Sequence, residues 1–361
     1  MRNLIFYLFA TTVIMAAGCH PTGPASVRTG RASYNIVIQQ TNNEQLLLNL
    51  VRLRYRDTPY FLEVSSIATT FDFTASASGS ALLPSSESNI YDLGTGLSFS
   101  EQPTVSYTPL QGEGFVTQLM SPVDLNTIIL LYRSGWSVER IFQVCLQSIN
   151  GVKNAPSASG PTPDYVPKYE QFREVAGLLR QLQIQDVLEM GREPSVDPNN
   201  PIVKIRIADE ARESSQVERL CVLLGLERGR TDYYLTAEAG SGGKDRIAVV
   251  PRSLMGSLFY VSQGVEVPPG DERAGRVTVT RDEQGGRFDW SQVVGGLMAI
   301  HSSGQQPKYP YADVRYRGNW FYIDDSDLAS KSTFSLLMQL FALQAGEIKS
   351  TAPVLTLPVG G

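Results

Sequence analysis

Two segments of alternating character set the strongest limit on how this chain can fold. Residues 60–78 are strand-like, and across Thr70-Phe71-Asp72-Phe73-Thr74-Ala75-Ser76-Ala77-Ser78 apolar and polar residues alternate with a period of two. A stretch rich in Ser, Pro and Asn follows (Pro84 to Asn89), and alternation returns from Leu93 to Tyr107 through Leu97, Phe99 and Val105. Successive side chains of a strand point to opposite faces, so this pattern suits a strand with one covered face and does not suit a helix. Two such segments about a polar loop predict a long β-hairpin over 64–108. Its composition admits two readings: a hairpin half-buried on its own protein, or a membrane-spanning hairpin lent to an oligomeric barrel, whose strands carry the same alternation.

The flanking elements are a mixture. Residues 34–38 (YNIVI) read as a short strand, and Thr41-Asn42-Asn43-Glu44 fits a capping box. Leu46, Leu47, Leu50, Val51 and then Arg54 or Tyr55 keep helical spacing up to Thr58-Pro59. Arg52, Arg54 and Arg56 form a basic face there, solvated or paired with carboxylates, or else facing lipid headgroups. After Gly112, helices are predicted over 115–120, 123–133 and 138–149, the last closing at Asn150-Gly151 as a C-cap. Residues 153–167 (KNAPSASGPTPDYVP) read as a linker, so the domain boundary is placed there, between 33–152 and 168–361.

The second region begins with a helix over 169–189 and a strand over 202–207. A helix from Ser214 or Ser215 to Gly225 comes next, then strands 233–236 and 246–250 about the turn Gly240-Ser241-Gly242-Gly243. A helix over 254–261 and a strand over 276–280 complete the order β-α-β-β-α-β of ferredoxin-like domains. An added hairpin (312–317 and 319–323, about Gly318-Asn319), a helix over 328–345 capped by Ser326 or Asp327, and an edge strand 354–357 between Pro353 and Pro358 end the chain. The expected class is α+β.

Little in the sequence points to catalysis. The chain has 361 residues and a net charge of −5, and that acidic balance argues against nucleic acid as a partner. Its two histidines are His20 and His301, and no Gly-x-Ser-x-Gly elbow supplies a nucleophile for His301. In Gly240-Ser241-Gly242-Gly243-Lys244, Glu238 stands where a phosphate loop has its first glycine and Asp245 where it has Ser or Thr, so these are turn glycines. Asp324-Asp325-Ser326-Asp327 lacks the glycine and distal glutamate of a calcium loop and reads as helix capping. No catalytic residue, cofactor or metal is expected. Cys145 and Cys221 lie in apolar helical patterns and read either as two buried free thiols or as a disulfide joining two domains.

The first nineteen residues, MRNLIFYLFATTVIMAAGC, place Arg2 before an apolar run from Leu4 to Met15, too short to span a bilayer as a mature helix. The ending Ala16-Ala17-Gly18-Cys19 resembles the lipobox of bacterial lipoprotein signal peptides. The resemblance implies a signal peptide over 1–19 and lipidation of Cys19 by acyl chains such as palmitate, with residues 20–32 as a tether. The second mature position is His20, not the Asp common in inner-membrane lipoproteins, so the resemblance implies an outer-membrane anchor with the body in the periplasm. The segments NEQLLLNLVRLRYRDTPYFLEVSSI and RYRGNWFYIDDSDLASKSTF are similar to those of uncharacterised proteobacterial lipoproteins, a resemblance that carries no activity with it. The expectation is a non-enzymatic envelope lipoprotein, an interaction or assembly module with protein partners or copies of itself. The alternative is a subunit of an oligomeric outer-membrane pore or secretion channel using the 64–108 hairpin.

Overall fold

The computed structural model describes residues 22–81, 91–193, 202–237, 240, 242–345 and 355–358, with side-chain surroundings for 32–66, 104–193, 202–237, 240 and 242–344. The expected signal peptide over 1–19 and its Cys19 lie outside the described residues. Two compact units divide the chain, residues 1–46 and residues 47–361, and the first helix contributes to both.

That helix, α1 (Thr22–Arg54), runs for 33 residues, through both the expected tether and the expected strand at 34–38. Ile36 and Val37 are more than half exposed on it. The capping box also does not form, because the helix is already under way: the Thr41 hydroxyl donates back to the Ile38 carbonyl at 3.0 Å. Gln39 donates to Asn43 and Gln40 to Glu44, each at 3.0 Å, the i,i+4 pairs that support a helix interior.

After the end of α1 the second unit continues with the hairpin β1 (Phe61–Ala81) and β2 (Tyr91–Leu110), antiparallel and paired from Phe61↔Leu110 to Ala81↔Tyr91 with one shift of register between Val64 and Ser66. Helices α2 (Glu113–Met120), α3 (Leu125–Arg133) and α4 (Val138–Cys145) follow. The expected helix over 138–149 stops at Cys145, and Leu146–Ile149 is strand β3. Asn150 and Gly151 are then not a helix cap but the two left-handed residues of a tight hairpin turn, at φ 42° and 79°. They lead into β4 (Val152–Lys153).

Residues 153–167 are packed rather than bare. Ala155 and Ala158 are buried, the Asn154 side chain donates to the carbonyls of Gln143 (2.9 Å) and Leu146 (2.8 Å), and Tyr165 bridges to Arg281. This stretch lies inside the compact unit 47–361.

Further along come α5 (Glu170–Ile184), β5 (Leu188–Glu193), β6 (Ile202–Ile207), α6 (Ser215–Leu224), β7 (Asp232–Thr236), β8 (Arg246–Pro251) and α7 (Leu254–Ser262). The strands form one six-stranded sheet in the order β4-β3-β8-β7-β6-β5. β7 and β8 are parallel although only nine residues join them, and the other pairs are antiparallel. Val203, Ile205 and Ile207 alternate with more open residues along β6, and α5 covers the sheet with Phe172, Val175, Ala176, Leu179 and Leu182. The class is α+β. The ferredoxin-like order is not completed, because residues 276–280 form no ladder; they are held instead by single contacts such as the Thr280 hydroxyl on the Pro163 carbonyl.

Short helices α8 (Pro269–Arg273) and α9 (Ser291–Val294) precede a second sheet, β10 (Pro310–Tyr316), β11 (Asn319–Asp324) and β9 (His301–Ser303), in the order β10-β11-β9. The β10–β11 turn uses Arg317 and Gly318, both at positive φ. Helix α10 (Leu328–Ala345) buries Phe334, Leu336, Leu337 and Leu340. Strand β12 (Leu355–Pro358) then joins β2, making a third sheet in the order β1-β2-β12. Among the described residues no helix is long and apolar enough to cross a membrane.

Candidate functional site

The hairpin has a root and an arm, separated by an irregularity between Val64 and Ser66, where the Ser65 hydroxyl donates to the Ser106 carbonyl at 3.0 Å. Below it, Phe61–Val64 pair with Tyr107–Leu110; above it, Ser66–Ala81 pair with Tyr91–Ser106 without a break.

The root is gripped by the end of α1. Asn49 is 1% exposed, and its side chain acts as a strand partner: Nδ2 donates to the Tyr60 carbonyl at 2.8 Å while Oδ1 accepts from the Tyr60 amide at 3.0 Å. Phe61 lies 4.9 Å from Phe341 and 5.9 Å from Phe115, ring centre to ring centre, so three elements share one aromatic contact. Beside this, two phenol–carboxylate pairs tie distant segments together. Tyr55 donates to Asp271 Oδ2 at 2.6 Å, with Arg276 on the other oxygen. Tyr316 donates to Asp57, which also accepts from Arg317 at 2.9 Å. The Arg317 guanidinium stands over the rings of both Tyr55 (5.3 Å) and Tyr316 (5.4 Å). Burial opposes ionisation of Asp57, but the hydrogen bonds from Tyr316 and Arg317 outweigh it and hold the carboxyl below its usual range. Asp271 behaves alike: burial works against the charge, and Tyr55 and Arg276 win.

The expected basic face is therefore only partly a face. Arg54 is 6% exposed and donates to the Thr278 carbonyl at 3.1 Å; burial lowers its pKa to about 10, with Glu272 acting in the opposite direction. Arg52 donates to Asn49 at 3.3 Å, and Arg56 is exposed at φ 60°, where the chain leaves the helix.

The arm separates residue types by face. Because the register pairs odd with odd, one face holds Ile67, Thr69, Phe71, Phe73, Ala75, Ala77, Gly79 and Ala81 with Tyr91, Leu93, Thr95, Leu97, Phe99, Glu101, Pro103 and Val105. The other holds Ala68, Thr70, Asp72, Thr74, Ser76, Ser78 and Ser80 with Asp92, Gly94, Gly96, Ser98, Ser100, Gln102 and Thr104. From Phe73↔Phe99 to Ala81↔Tyr91 the first face carries no charged residue. That is nine residues on each strand, roughly 30 Å along the strand and about 23 Å in projection at a 40° tilt. An apolar band of about 25 Å is what a barrel strand presents to lipid.

The remaining residues singled out by sequence do not converge on a site. Cys145 and Cys221 are both free and buried, so the inter-domain disulfide does not form. Cys221 Sγ lies 3.4 Å from the Tyr233 hydroxyl, while Cys145 sits near Arg252 and its thiol is pushed up to about 12 by burial. His301 Nδ1 lies 3.5 Å from Glu266, at the surface. Asp324 caps the Ser326 amide at 2.8 Å, Asp327 caps that of Ser330 at 3.0 Å, and Asp325 pairs with Lys331 at 2.7 Å, so this acidic run serves the start of α10. The 240–244 glycines make a turn in which Gly243 donates to Arg246 at 3.0 Å. Among the described residues no group of three or more His, Cys, Asp or Glu gathers as a metal-ligand set.

Sequence reasoning missed Arg252. This residue is fully buried at the β8–α7 junction, its pKa lowered to about 10 by burial. Nη1 donates to the carbonyls of Gln143 (2.8 Å) and Leu146, Nη2 to that of Asn154, and Nε to Ser159 Oγ (2.8 Å). The guanidinium also stacks 3.9 Å above the Tyr260 ring. It collects carbonyls left over where α4 ends, β3 begins and the 153–159 stretch turns. A single Arg between Pro251 and Ser253 carries no pattern that would announce this.

The chain matches no family model, no curated protein and no solved structure in the comparisons.

Proposed function

We propose that this protein is a non-enzymatic envelope lipoprotein, held to the outer membrane by lipid on Cys19 with its body in the periplasm, and that it works as an assembly module. What supports this is the arm: a two-stranded ribbon is marginal by itself, and this one has strand edges with no described strand beside them, which another chain can pair with. Two or more acyl chains on Cys19 would hold the body far more firmly than one. Changing Cys19→Ser is expected to release the protein from membranes; a variant that stays wholly membrane-bound would overturn the anchor.

The second reading, a subunit of an oligomeric outer-membrane pore, is favoured by one observation, the uncharged face of the arm, five residues on each strand from Phe73↔Phe99 to Ala81↔Tyr91, opposite a face of Ser, Thr and Gly with Asp92. An epitope inserted at Ser85-Ser86 and a second near Gly361 tell the two apart. Labelling of the first tag on intact cells, with the second reached only after permeabilisation, supports the pore. Labelling of both only after permeabilisation leaves a periplasmic module.

A further inference from the structure

We propose that the C-terminal strand β12 is a stop, confining pairing between copies of this chain to residues 91–103 of β2. The inference rests on self-association through the arm and goes beyond it by naming the edge, its limit and what sets the limit.

The arm has two edges of opposite direction. In the sheet order β1-β2-β12, no described strand lies beyond the outer edge of β1. The outer edge of β2 is covered only from Thr104 to Tyr107, where Pro358, Leu357, Thr356 and Leu355 face Thr104, Val105, Ser106 and Tyr107. A soluble protein blunts long open edges with lysines, prolines or bulges. Residues 66–81 contain no Lys, Arg or Pro, and one charge, Asp72; residues 91–102 contain only Asp92 and Glu101. Edges left this unguarded suit a specific strand, and β1 of a second copy runs antiparallel to β2, as ring closure requires.

At the foot of the arm the design reverses. Pro103 pairs across from Thr69, and a proline inside a paired strand sits where its missing donor faces off the ladder, which weakens the outer edge there. One position lower, Pro358 ends β12 opposite Thr104. Two prolines thus mark, at neighbouring register positions, the boundary between the stretch that β12 covers and the stretch with no described strand beside it. Above it remain Tyr91–Pro103, thirteen residues, enough for a tilted transmembrane strand of about 9–11. Below it, a neighbour's β1 would have to displace β12.

Disulfide mapping in the full lipidated chain tests this, since a cross-link forms only where Cα atoms come within about 7 Å. Chains carrying Ala68→Cys, Thr70→Cys or Thr74→Cys on β1 are co-expressed with chains carrying Ser98→Cys, Ser100→Cys, Thr104→Cys or Ser106→Cys on β2, and oxidised in membranes. The expected result is mixed dimers at 98 and 100 in about tenfold excess over those at 104 and 106. Deleting 355–361 should bring 104 and 106 up to the level of 98 and 100; Thr356→Pro is the second variant, should the deletion fail to fold. Equal cross-linking at all four positions in the intact chain, or silent 104 and 106 after β12 is removed while 98 and 100 still react, would overturn the stop and leave self-association standing. No cross-link at any position, with a monomer mass in detergent, would remove self-association and the stop with it.

Discussion

The six-stranded sheet and the hairpin arm answer the same backbone demand in opposite ways. At one end the sheet's edge is the two-residue strand β4, and at the other the Tyr132 hydroxyl donates to the Leu188 carbonyl of edge strand β5. At the junction of β3 and β8, a buried arginine satisfies the carbonyls that the ladder cannot reach. Among the described residues the arm has no such provision above Pro103. One region closes its hydrogen bonding within the chain. The other has strand edges with no described strand beside them, and the proposed assembly role rests on those edges.

The contrast can be broken most severely at Arg252. Arg252→Met roughly keeps the volume but takes the donor from the buried Asn154 carbonyl and one of two donors from those of Gln143 and Leu146, and should destabilise the body by about 3–4 kcal/mol. Denaturant unfolding reads this, and a loss under 1 kcal/mol would mean that the carbonyls find other donors. Next, Asn49→Ala removes both bonds to Tyr60 and should cost roughly 1–2 kcal/mol while loosening the root. Hydrogen exchange at the Tyr60 amide is the direct readout.

A smaller effect is expected in acid. Asp57 and Asp271 have folded pKa values held below that of the unfolded chain, so their contribution is present above the unfolded value of about 3.9 and disappears as pH falls through the folded values. Asp57→Asn with Asp271→Asn should therefore flatten the stability curve below about pH 4 and lower it at neutral pH. An unchanged acid limb would show that other carboxylates control it. Least affected should be the body when residues 67–103 are replaced by a short turn: its stability should move by under about 1 kcal/mol, while any assembly through the arm is lost. Cooperative loss of the whole fold would show that the arm belongs to the body's core.

Several elements were readable because a short-range pattern and the final environment agree. The alternation at 70–78 and 93–107 became paired strands, Ser214 caps α6 by accepting from the amide three residues on, and the acidic run at 324–327 caps α10. Elsewhere one local signal has two uses. Asn-Gly serves a helix end as well as a hairpin, and at 150–151 the choice falls to β8, whose Ala248 amide donates to Asn150 Oδ1 at 2.6 Å. Thr41 and Glu44 spell a cap only if the helix begins there, and α1 begins at Thr22.

The sequence by itself determined period, and with it the hairpin, most of the helices and the α+β class, since side-chain spacing along a strand or helix is set by local geometry. Tertiary structure alone decided which strands are neighbours, that the thiols of Cys145 and Cys221 stay apart, and that Arg252 and Asn49 become the polar hubs of body and root. Those outcomes depend on groups far apart in the chain meeting in a space where an unpaired carbonyl or amide is costly, and no window of sequence contains both partners.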